Sequence, residues 1–473
     1  MNEYERVLKK VLKAVTPTDA DKKRIEELAN RTLKLAKQEA ERYQAKAMLA
    51  GSITRNTWLP WKMEFDVFIL FPETMSEKEM EENGLKIGKS VIKKLKGKSV
   101  VEYAEHPYVS GSVRGVDIDI VPCYEIASPE RLKSAVDRTP FHVKYIESHL
   151  PADAADDVRL FKQLCRANGI YGADARTEGL SGYVCELLMI KYGNFVDLLK
   201  AVTKWKPGEV IDIEKHYERG YWKLRKKFKQ QVLILIDPID KNRNAAAAFS
   251  ANSFYKLKKV AKAFLEKPSV KLFEDRKYKP ITENELIIKQ MQRRTEVILV
   301  KFTPPKVVPD ILWPQLRKFA ARLESILEEN EFHVLRRDVY TNESDLAVAL
   351  LEMEVAKLPN VQKRVGPLVF DADDSKRFLE KYKPIALSGP FIERNFWVVE
   401  IRRRFLTARE KLMDSLQKPL KILKAKGIPN YIAEQIAKRF EIILETEKIM
   451  KLVKKDENFG VFLRRYFEKE SLV

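Results

Sequence analysis

Cysteine is scarce in this chain: 3 residues of 473, at Cys123, Cys165 and Cys185. No two of them stand at the short spacing of a metal or redox pair, so neither a disulfide framework nor a zinc site is expected. Long apolar runs are missing as well, because no stretch reaches the roughly 18 residues that a membrane-spanning helix needs. The first residues also lack the apolar segment of a signal peptide. These absences predict buried, reduced thiols in a cytoplasmic protein without a membrane partner.

The sequence also shows no internal repeat, no low-complexity segment and no long flexible linker. What it does have is length, because 473 residues suffice for three or four domains of ordinary size. Hydrophobic residues make up 45% of the chain, enough for a sizeable core. A multidomain globular protein is therefore expected.

Positive charge is in large excess. The chain has 88 Lys and Arg against 68 Asp and Glu, a formal net charge of +20. Such an excess predicts a polyanionic partner, and nucleic acid is the leading candidate. The alternative is a charge-rich and heat-stable protein without such a partner, since 33% of the residues are charged.

Acidic residues occur on two segments that otherwise read as apolar strands. Glu64 and Asp66 alternate with apolar residues in 64–70, and Asp117 and Asp119 do so in 116–122. Alternate residues of a strand share a face, so Glu64 and Asp66 project together, about 7 Å apart. Carboxylates on such strands are costly unless a cation compensates them. Three of them on neighbouring strands could hold two magnesium ions about 3.5–4 Å apart, an arrangement used in nucleotidyl transfer.

A candidate phosphate site precedes the first acidic strand. The apolar run 47–50 predicts a strand, and Gly51 allows the chain a tight exit from it. Ser52 suits the N-cap of a short helix that Pro60 would end. The start of a helix favours a phosphate oxygen, and Arg55 would lie on the same side as Ser52. Phosphate-binding and metal-binding groups in this order indicate an enzyme.

Helices and strands alternate differently along the chain. Up to about residue 150 they alternate as in an α/β head with a mixed sheet, and 151–275 is mainly helical. In 276–390 the order strand, helix, strand, strand resembles half of a ferredoxin-like layer, a common RNA-binding frame. The segment 391–473 holds one more strand and then a helical, basic end. The predicted fold class is thus α/β and α+β, in several domains.

Seven strings give the chain a family resemblance. They are 51–58, 103–108, 119–124, 135–142, 167–172, 181–183 and 237–240, the last followed by Arg243-Asn244. With them the chain resembles the archaeal (class I) CCA-adding enzymes, which are tRNA nucleotidyltransferases of the DNA polymerase beta superfamily. The resemblance covers about the first 250 residues, and the C-terminal third matches more loosely, by domain order.

The resemblance implies an activity and its partners. Such enzymes add C, C and A to the 3' end of tRNA from CTP and ATP without a nucleic-acid template, releasing pyrophosphate. Glu64, Asp66 and Asp119 would be the catalytic acids that bind two magnesium ions. The tRNA partner would be recognised at its acceptor stem and elbow. The family often forms dimers, so the resemblance leaves a homodimer open.

The same resemblance implies a nucleotide-binding set and a domain layout. The implied nucleotide-binding residues are Ser52, Arg55, His142, Lys162 and Tyr171, with Arg243 for the incoming base. The implied domains are a nucleotidyltransferase head (1–150), a helical nucleotide-binding neck (151–275), a ferredoxin-like RNA-binding body (276–390) and a basic tail at the tRNA elbow (391–473).

Three alternatives stay open at this point. Spacing alone cannot choose between Asp117 and Asp119, although the family context favours Asp119. The string Arg336-Arg337-Asp338 resembles a motif of class II enzymes but lies far downstream of the acids, so we interpret it as a surface strand. The functional rivals are a poly(A) polymerase-like terminal nucleotidyltransferase and a tRNA-binding relative without catalysis.

Overall fold

The computed structural model describes residues 3–103, 105–217 and 220–469, in two compact units that divide between Arg276 and Lys277. Ala104, part of one of the resemblance strings, lies outside the described residues. The predicted mixed α/β content, with a mixed sheet and several sheets, is confirmed. In the described ranges, no helix combines the length and the apolar character that crossing a membrane requires. All three cysteines are buried free thiols.

The first unit holds nine helices and seven strands among its described residues. The helices are α1 Glu3–Val15, α2 Asp19–Glu41, α3 Glu77–Lys94, α4 Thr139–His149, α5 Ala155–Ala167, α6 Gly182–Tyr192, α7 Phe195–Lys204, α8 Tyr221–Lys227 and α9 Ala251–Glu266. The strands are β1 Lys46–Ala50, β2 Glu64–Pro72, β3 Lys98–Tyr103, β4 Pro107–Val113, β5 Val116–Glu125, β6 Glu209–Asp212 and β7 Leu233–Ile236. The 3₁₀ turns are Ser52–Arg55, Pro129–Arg131, Val136–Arg138, Ala152–Ala154 and Val270–Phe273.

The second unit holds eight helices and seven strands in the part that the structure describes. The helices are α10 Glu283–Arg293, α11 Pro309–Glu328, α12 Ala372–Tyr382, α13 Ala408–Leu416, α14 Leu420–Ala425, α15 Asn430–Lys438, α16 Thr446–Lys455 and α17 Glu457–Phe467. The strands are β8 Glu296–Phe302, β9 His333–Thr341, β10 Ala347–Val355, β11 Val361–Leu368, β12 Ala386–Glu393, β13 Phe396–Arg402 and β14 Glu441–Ile443. One 3₁₀ turn, Lys383–Ile385, follows α12.

A five-stranded mixed sheet in the order β1-β2-β5-β4-β3 forms the centre of the head. Strands β2 and β5 are parallel and the other pairs are antiparallel. Phe65, Val67 and Ile69 of β2 are buried in one core with residues of α2 and α3. The alternation predicted for β2 is therefore confirmed, and it leaves Glu64 and Asp66 on the opposite face.

Helix α3 lies unusually close to this sheet. A Cβ atom at Gly84 would stand 2.6 Å from Cβ of Pro122, and one at Gly88 would stand 2.7 Å from Cβ of Val109. Only glycine allows the helix backbone to approach β4 and β5 so closely. This contact supports the back of the strand that carries Asp119.

The helical part of the first unit has its own core. Residues of α1, α5, α6, α7 and α9 are buried together. Tyr4 of α1 donates a hydrogen bond to the carbonyl oxygen of Leu265 at 2.6 Å. Strands β6 and β7 add a small parallel sheet that the mainly helical sequence pattern did not predict.

The second unit contains two antiparallel sheets, in the orders β14-β8-β10-β9 and β11-β13-β12. The predicted order of strand, helix, strand and strand is present as β8, α11, β9 and β10. Strand β14 was not predicted, because three residues are too few for a period-2 pattern to stand out in a helical region. The strand predicted at Arg336–Asp338 is confirmed as part of β9.

The helix predicted to begin at Ser52 and end at Pro60 is wrong. A single 3₁₀ turn covers Ser52–Arg55, and its N-cap is Gly51. Asn56 ends the turn in the left-handed conformation, at φ 52°. Asparagine tolerates that conformation, so the chain turns well before the proline. Ser52 is thus the first residue of the turn, and a turn this short has little dipole to offer a phosphate.

Candidate active site

The register of the parallel strands brings the acidic residues together in pairs. Asp66 of β2 lies opposite Asp119 of β5, and Glu64 lies opposite Asp117. Asp66 and Asp119 are half-buried, whereas Asp117 is exposed. Asp119 is therefore the direct neighbour of Asp66, and Asp117 lies further along the same face.

Gly51 lies next to the Asp66 carboxylate and leaves space for it. Strand β1 pairs with β2 so that Ala50 lies opposite Asp66, and Gly51 follows with φ 91°. This conformation favours glycine. A Cβ atom at residue 51 would also stand 3.1 Å from Oδ2 of Asp66. The glycine predicted for a tight exit thus also leaves room for an acidic side chain of the site.

The clustered carboxylates disfavour each other's ionisation. Burial raises the pKa of Asp66, and the charges of Asp119 and Glu64 raise it further, to about 7. Burial also raises the pKa of Asp119, against a hydrogen bond from Ser110 that lowers it. Desolvation is the largest cause in both cases, and nearby like charges add to it, those of Asp117 and Glu102 for Asp119. A bound cation would relieve this repulsion.

The carboxylate of Glu64 does not lie close enough to those of Asp66 and Asp119 to form one three-ligand group in the described part of this structure. Its Oε1 atom pairs with Nζ of Lys62 at 2.7 Å. Within the described ranges, one group of three residues has potential ligand atoms that all lie within 4.8 Å of one another, namely Glu77, Glu81 and His106. An ion shared by all three predicted acids therefore requires Glu64 to turn away from Lys62.

The raised pKa of Asp66 makes a stability prediction. The folded pKa of about 7 lies above the ordinary value of 3.8, so the stabilisation is complete below pH 3.8 and is lost as pH rises through about 7. We therefore compare the Tm of Asp66→Asn with that of the wild type in the absence of divalent metal. The difference should shift in favour of the variant by at least ~5 °C when the pH is raised from ~4 to ~8. Added magnesium should raise the Tm of the wild type at pH ~8 but not that of the variant. Thermal denaturation monitored by circular dichroism measures both effects.

Asp117→Asn is the matched control, because Asp117 is an exposed acid on the same strand face. Its difference from the wild type should not change with pH in this way. A constant difference between the wild type and Asp66→Asn across the same pH range would contradict the account of Asp66.

The predicted phosphate-binding residues Arg55 and Lys162 meet at one buried carboxylate. Glu186 of α6 accepts hydrogen bonds from Nε of Arg55 at 3.1 Å and from Nζ of Lys162 at 3.1 Å. The hydroxyl of Thr57 donates to the same carboxylate at 2.5 Å. Burial would raise the pKa of Glu186, but the charges of Lys162 and Arg55 outweigh it and hold the pKa below its ordinary range. We call these four residues the Glu186 cluster.

Two more of the predicted nucleotide-binding residues, His142 and Arg243, meet at a second buried carboxylate. Asp237 contacts Nε2 of His142 at 2.9 Å and NH1 of Arg243 at 2.5 Å. The ring of His142 stacks on Tyr183, whose hydroxyl donates to Asp237 at 3.2 Å. Burial opposes ionisation of Asp237, but His142 and further hydrogen bonds outweigh it and hold its pKa far below the ordinary value.

Helix α6 connects the two clusters, because its first turns carry both Tyr183 and Glu186. Its N-cap is Ser181, and Gly182 follows. A Cβ atom at Gly182 would stand 3.3 Å from the Tyr171 hydroxyl and 3.7 Å from Nζ of Lys162. Tyr171 and Lys162 therefore lie side by side at the start of α6. Burial is the main cause that raises the pKa of Tyr171.

Sequence reasoning did not single out the two carboxylates that organise these residues. Asp237 belongs to a string that carried the resemblance, yet it received no role. Glu186 had a signal, since it is an acid inside the apolar run 184–190, and a charge in such a run needs a partner. Tyr183 belongs to the string 181–183 but received no role, and Ser110 had no signal in the sequence.

Comparison with known proteins identifies the family. Residues 30–142 match the model of the nucleotidyltransferase domain, 156–274 that of the second domain of tRNA nucleotidyltransferase, and 293–445 that of the CCA-adding enzyme C-terminal domain. The CCA-adding enzyme of Methanosarcina mazei is 35% identical over 460 residues, covering 96% of this chain and 97% of the relative. The chain belongs to the CCA-adding enzyme family. The family and the enzyme class predicted from the sequence are thus confirmed.

Other CCA-adding enzymes agree with this. The one from Archaeoglobus fulgidus is 36% identical over 406 residues, which cover 86% of this chain and 88% of the relative. The one from Methanocaldococcus jannaschii is 37% identical over 386 residues, covering 80% and 84%. The chain is accordingly a nucleotidyltransferase of tRNA processing that performs CCA addition. Enzymes of this kind use nucleoside triphosphates and divalent metal ions.

Proposed function

We propose that Glu64, Asp66 and Asp119 are the catalytic acids of this CCA-adding enzyme and that they hold two magnesium ions. The observation that carries the proposal is the in-register pair of Asp66 and Asp119 on parallel strands. Carboxylate oxygens are the ligands that magnesium prefers, so the donor set fits the ion. The raised pKa of Asp66 supports the same reading, since neighbouring negative charge contributes to it and a cation would offset that charge.

The roles of the protein groups follow from their contacts. Bound magnesium lowers the pKa of an attacking hydroxyl and offsets charge on a leaving pyrophosphate. Glu64 completes the acid set by leaving Lys62, whose ammonium is then free to face the nucleotide. Ser110 of β4 lies opposite Asp119 and favours its ionised form, and the Gly51 backbone leaves space for the carboxylate of Asp66.

We further propose that the nucleotide lies between the acids and the start of α6. Ser52, Arg55, Lys162 and Tyr171 would hold the triphosphate, and positioning of this kind supplies much of the acceleration in phosphoryl transfer. The contacts of Arg55 leave one N–H of its NH1 and one of its NH2 for phosphate oxygens. His142 would donate to the phosphates from its contact with Asp237.

Arg243 would recognise the base of the incoming nucleotide. Its NH1 atom is held by Asp237, and its side chain is 34% exposed, so donors of the guanidinium remain accessible. A site that hydrogen-bonds the edges of C and A rejects bases that leave its polar groups unpaired. Discrimination against G and U would therefore depend on how firmly Asp237 orients the guanidinium.

For tRNA we propose binding at the acceptor stem and elbow by the second unit. The sheet order β14-β8-β10-β9 supports a ferredoxin-like body, with β14 as its fourth strand. Among the basic residues of this unit, Arg293 pairs with Glu352 and Arg403 with Glu331. Arg404 pairs with Asp414 at 3.4 Å, but its side chain stays 77% exposed, against 11% for Arg403. Arg404 is thus better placed for a phosphate contact than Arg403.

The four-domain layout of head, neck, body and tail remains a prediction. So does a homodimer, which light scattering of the purified protein would test. Buried free thiols support a reducing, cytoplasmic location.

A primer-extension experiment tests the proposed reaction. With tRNA that lacks its 3' end, we expect CTP alone to add two residues and ATP alone to add almost none. CTP and ATP together should add three residues and then stop. Each product is resolved on a sequencing gel, with magnesium present and after its removal by a chelator.

Two outcomes would support the rivals instead. Continued addition from ATP alone would indicate a poly(A) polymerase-like enzyme. Binding of tRNA without any extension would indicate a relative that has lost catalysis. Chelation should stop extension completely, and restoration by magnesium should return it.

A further inference from the structure

Both oxygens of the buried Glu186 carboxylate are fully engaged. Oε2 accepts from Nε of Arg55 at 3.1 Å and pairs with its NH2 at 3.0 Å. Oε1 accepts from the Thr57 hydroxyl at 2.5 Å and from Nζ of Lys162 at 3.1 Å. The side chain of Glu186 is 1% exposed. No part of this carboxylate is available for solvent or substrate, so its work is done through its partners.

These partners come from separate segments of the chain. Arg55 ends the 3₁₀ turn after β1, and Thr57 follows that turn. Lys162 lies in α5 and Glu186 in α6. One carboxylate therefore joins the turn beside the acidic strands to two helices of the helical core. Without it, two positive charges would face each other in a poorly solvated place and repel.

Lys162 has this carboxylate as its counter-ion. Its side chain is 2% exposed, and its ammonium donates to the carbonyl oxygen and hydroxyl of Thr57, both at 3.2 Å, as well as to Glu186. All three N–H groups are engaged in this structure, so a phosphate oxygen would take the place of one of the Thr57 contacts. Glu186 is the anion that contacts this ammonium, and a buried ammonium without an anion is strongly destabilised.

We propose that Glu186 is a positioning residue for the triphosphate: its carboxylate keeps Arg55 and Lys162 adjacent and oriented toward the phosphates. The inference rests on the proposed function, in which these two cations bind the triphosphate. Because the triphosphate is common to both substrates, the effect of Glu186 is the same for CTP and ATP. Binding of tRNA does not depend on it.

Glu186→Gln is the first test, since it removes the charge and keeps the shape. We expect KM for CTP and for ATP to rise together by about 10- to 100-fold near neutral pH. KM for tRNA should not change. Steady-state kinetics on truncated tRNA measure all of these.

Two variants separate charge from shape and from general damage. Glu186→Asp keeps the charge and should bring KM back toward the wild-type value, although its shorter side chain leaves KM partly raised. Glu39→Gln is the matched control, because Glu39 is also a buried glutamate with an arginine and a lysine partner, Arg42 and Lys94. It lies on α2, in the core on the other side of the sheet, and its KM values should equal those of the wild type.

A second comparison keeps the test decisive if the single Glu186 variant fails to fold. It sets Lys162→Gln beside the double variant that carries both Lys162→Gln and Glu186→Gln. The double variant leaves Arg55 as the one cluster cation without its carboxylate, so it should fold more readily, and its KM should exceed that of Lys162→Gln by less than about 10-fold. A larger rise between these two variants would overturn the proposal. So would a folded Glu186→Gln enzyme with wild-type KM values for both nucleotides.

Failure of the proposed function would look different. Arg55→Ala should by itself raise KM for both nucleotides, whatever Glu186 does. A wild-type KM in that variant would remove the triphosphate role of the cluster. A raised KM in Arg55→Ala with no effect of Glu186→Gln would refute the positioning role alone.

Discussion

Replacement of Asp66 by asparagine is expected to lower the rate of nucleotide addition by on the order of 10³-fold or more, because a metal ligand contributes several kcal/mol to the transition state. Asp66 is the residue of β2 that lies opposite Asp119 in the sheet. The affinity for tRNA should stay within about twofold of the wild type, since the change removes no positive charge. Single-turnover extension and a filter-binding assay measure the two quantities.

Asp117→Asn provides the control for this experiment as well. It changes an exposed acid opposite Glu64 and should leave most of the rate intact. Equal losses in both variants would mean that the general negative field of the strand face matters, and not a ligand at Asp66. An unchanged rate in Asp66→Asn would remove this residue from the catalytic set.

Replacement of Glu352 by alanine is expected to lower the free energy of unfolding of the second unit by roughly 3–5 kcal/mol, because it leaves buried partners unpaired. Glu352 of β10 is fully buried, and it accepts hydrogen bonds from Arg293 at 2.6 Å and from Tyr466 at 2.9 Å. Arg336 and Thr295 complete the group. Hydrogen exchange should speed up in β8, β9 and β10 and stay unchanged in the first unit.

The pH dependence gives this prediction a second measurement. Burial would raise the pKa of Glu352, but hydrogen bonds from Arg293, Thr295 and Tyr466 outweigh it and lower the pKa to about 2. Because the pKa of Glu352 is lowered, its carboxylate stabilises the fold fully above pH 4.5, the ordinary glutamate pKa. This stabilisation is lost as the pH falls from 4.5 toward about 2. The difference from the wild type should therefore shrink over that interval.

Glu354→Ala, on the same strand but exposed, should cost little at any pH. If it destabilised the unit as much as Glu352→Ala, strand propensity would explain both results. Arg293 and Arg294 form a basic pair in the sequence, and the ion pair of Arg293 with the buried Glu352 shows that such a pair is not always available to a phosphate.

The predictions that succeeded used patterns repeated over many residues. Capping residues and apolar periodicity predict a long helix from Thr18 up to Arg42 and another from Ser76 to about Lys96, and α2 and α3 match both closely. The alternation in β2 identified the face of Glu64 and Asp66 for the same reason. The predictions that failed concerned short elements, namely the 3₁₀ turn at Ser52 and the three-residue strand β14.

The pairing of side chains across the fold was beyond sequence reasoning. Spacing could not choose between Asp117 and Asp119, because both lie on one strand face. The choice of neighbour is made by the register of β2 against β5, which depends on packing against α3. In the same way, Lys162 reads as an ordinary helix lysine until α5 packs beside α6 and Glu186.

The sequence by itself determined the family, the class of reaction and the three carboxylates that the resemblance assigns to metal, because strings of neighbouring residues carry that information. Only the tertiary structure decided that Asp66 lies beside Asp119, and that Glu186 and Asp237 each hold two of the predicted nucleotide-binding side chains. The physical reason is that a buried charge needs a partner, and the partner is set by which helices and strands pack together, not by distance along the chain.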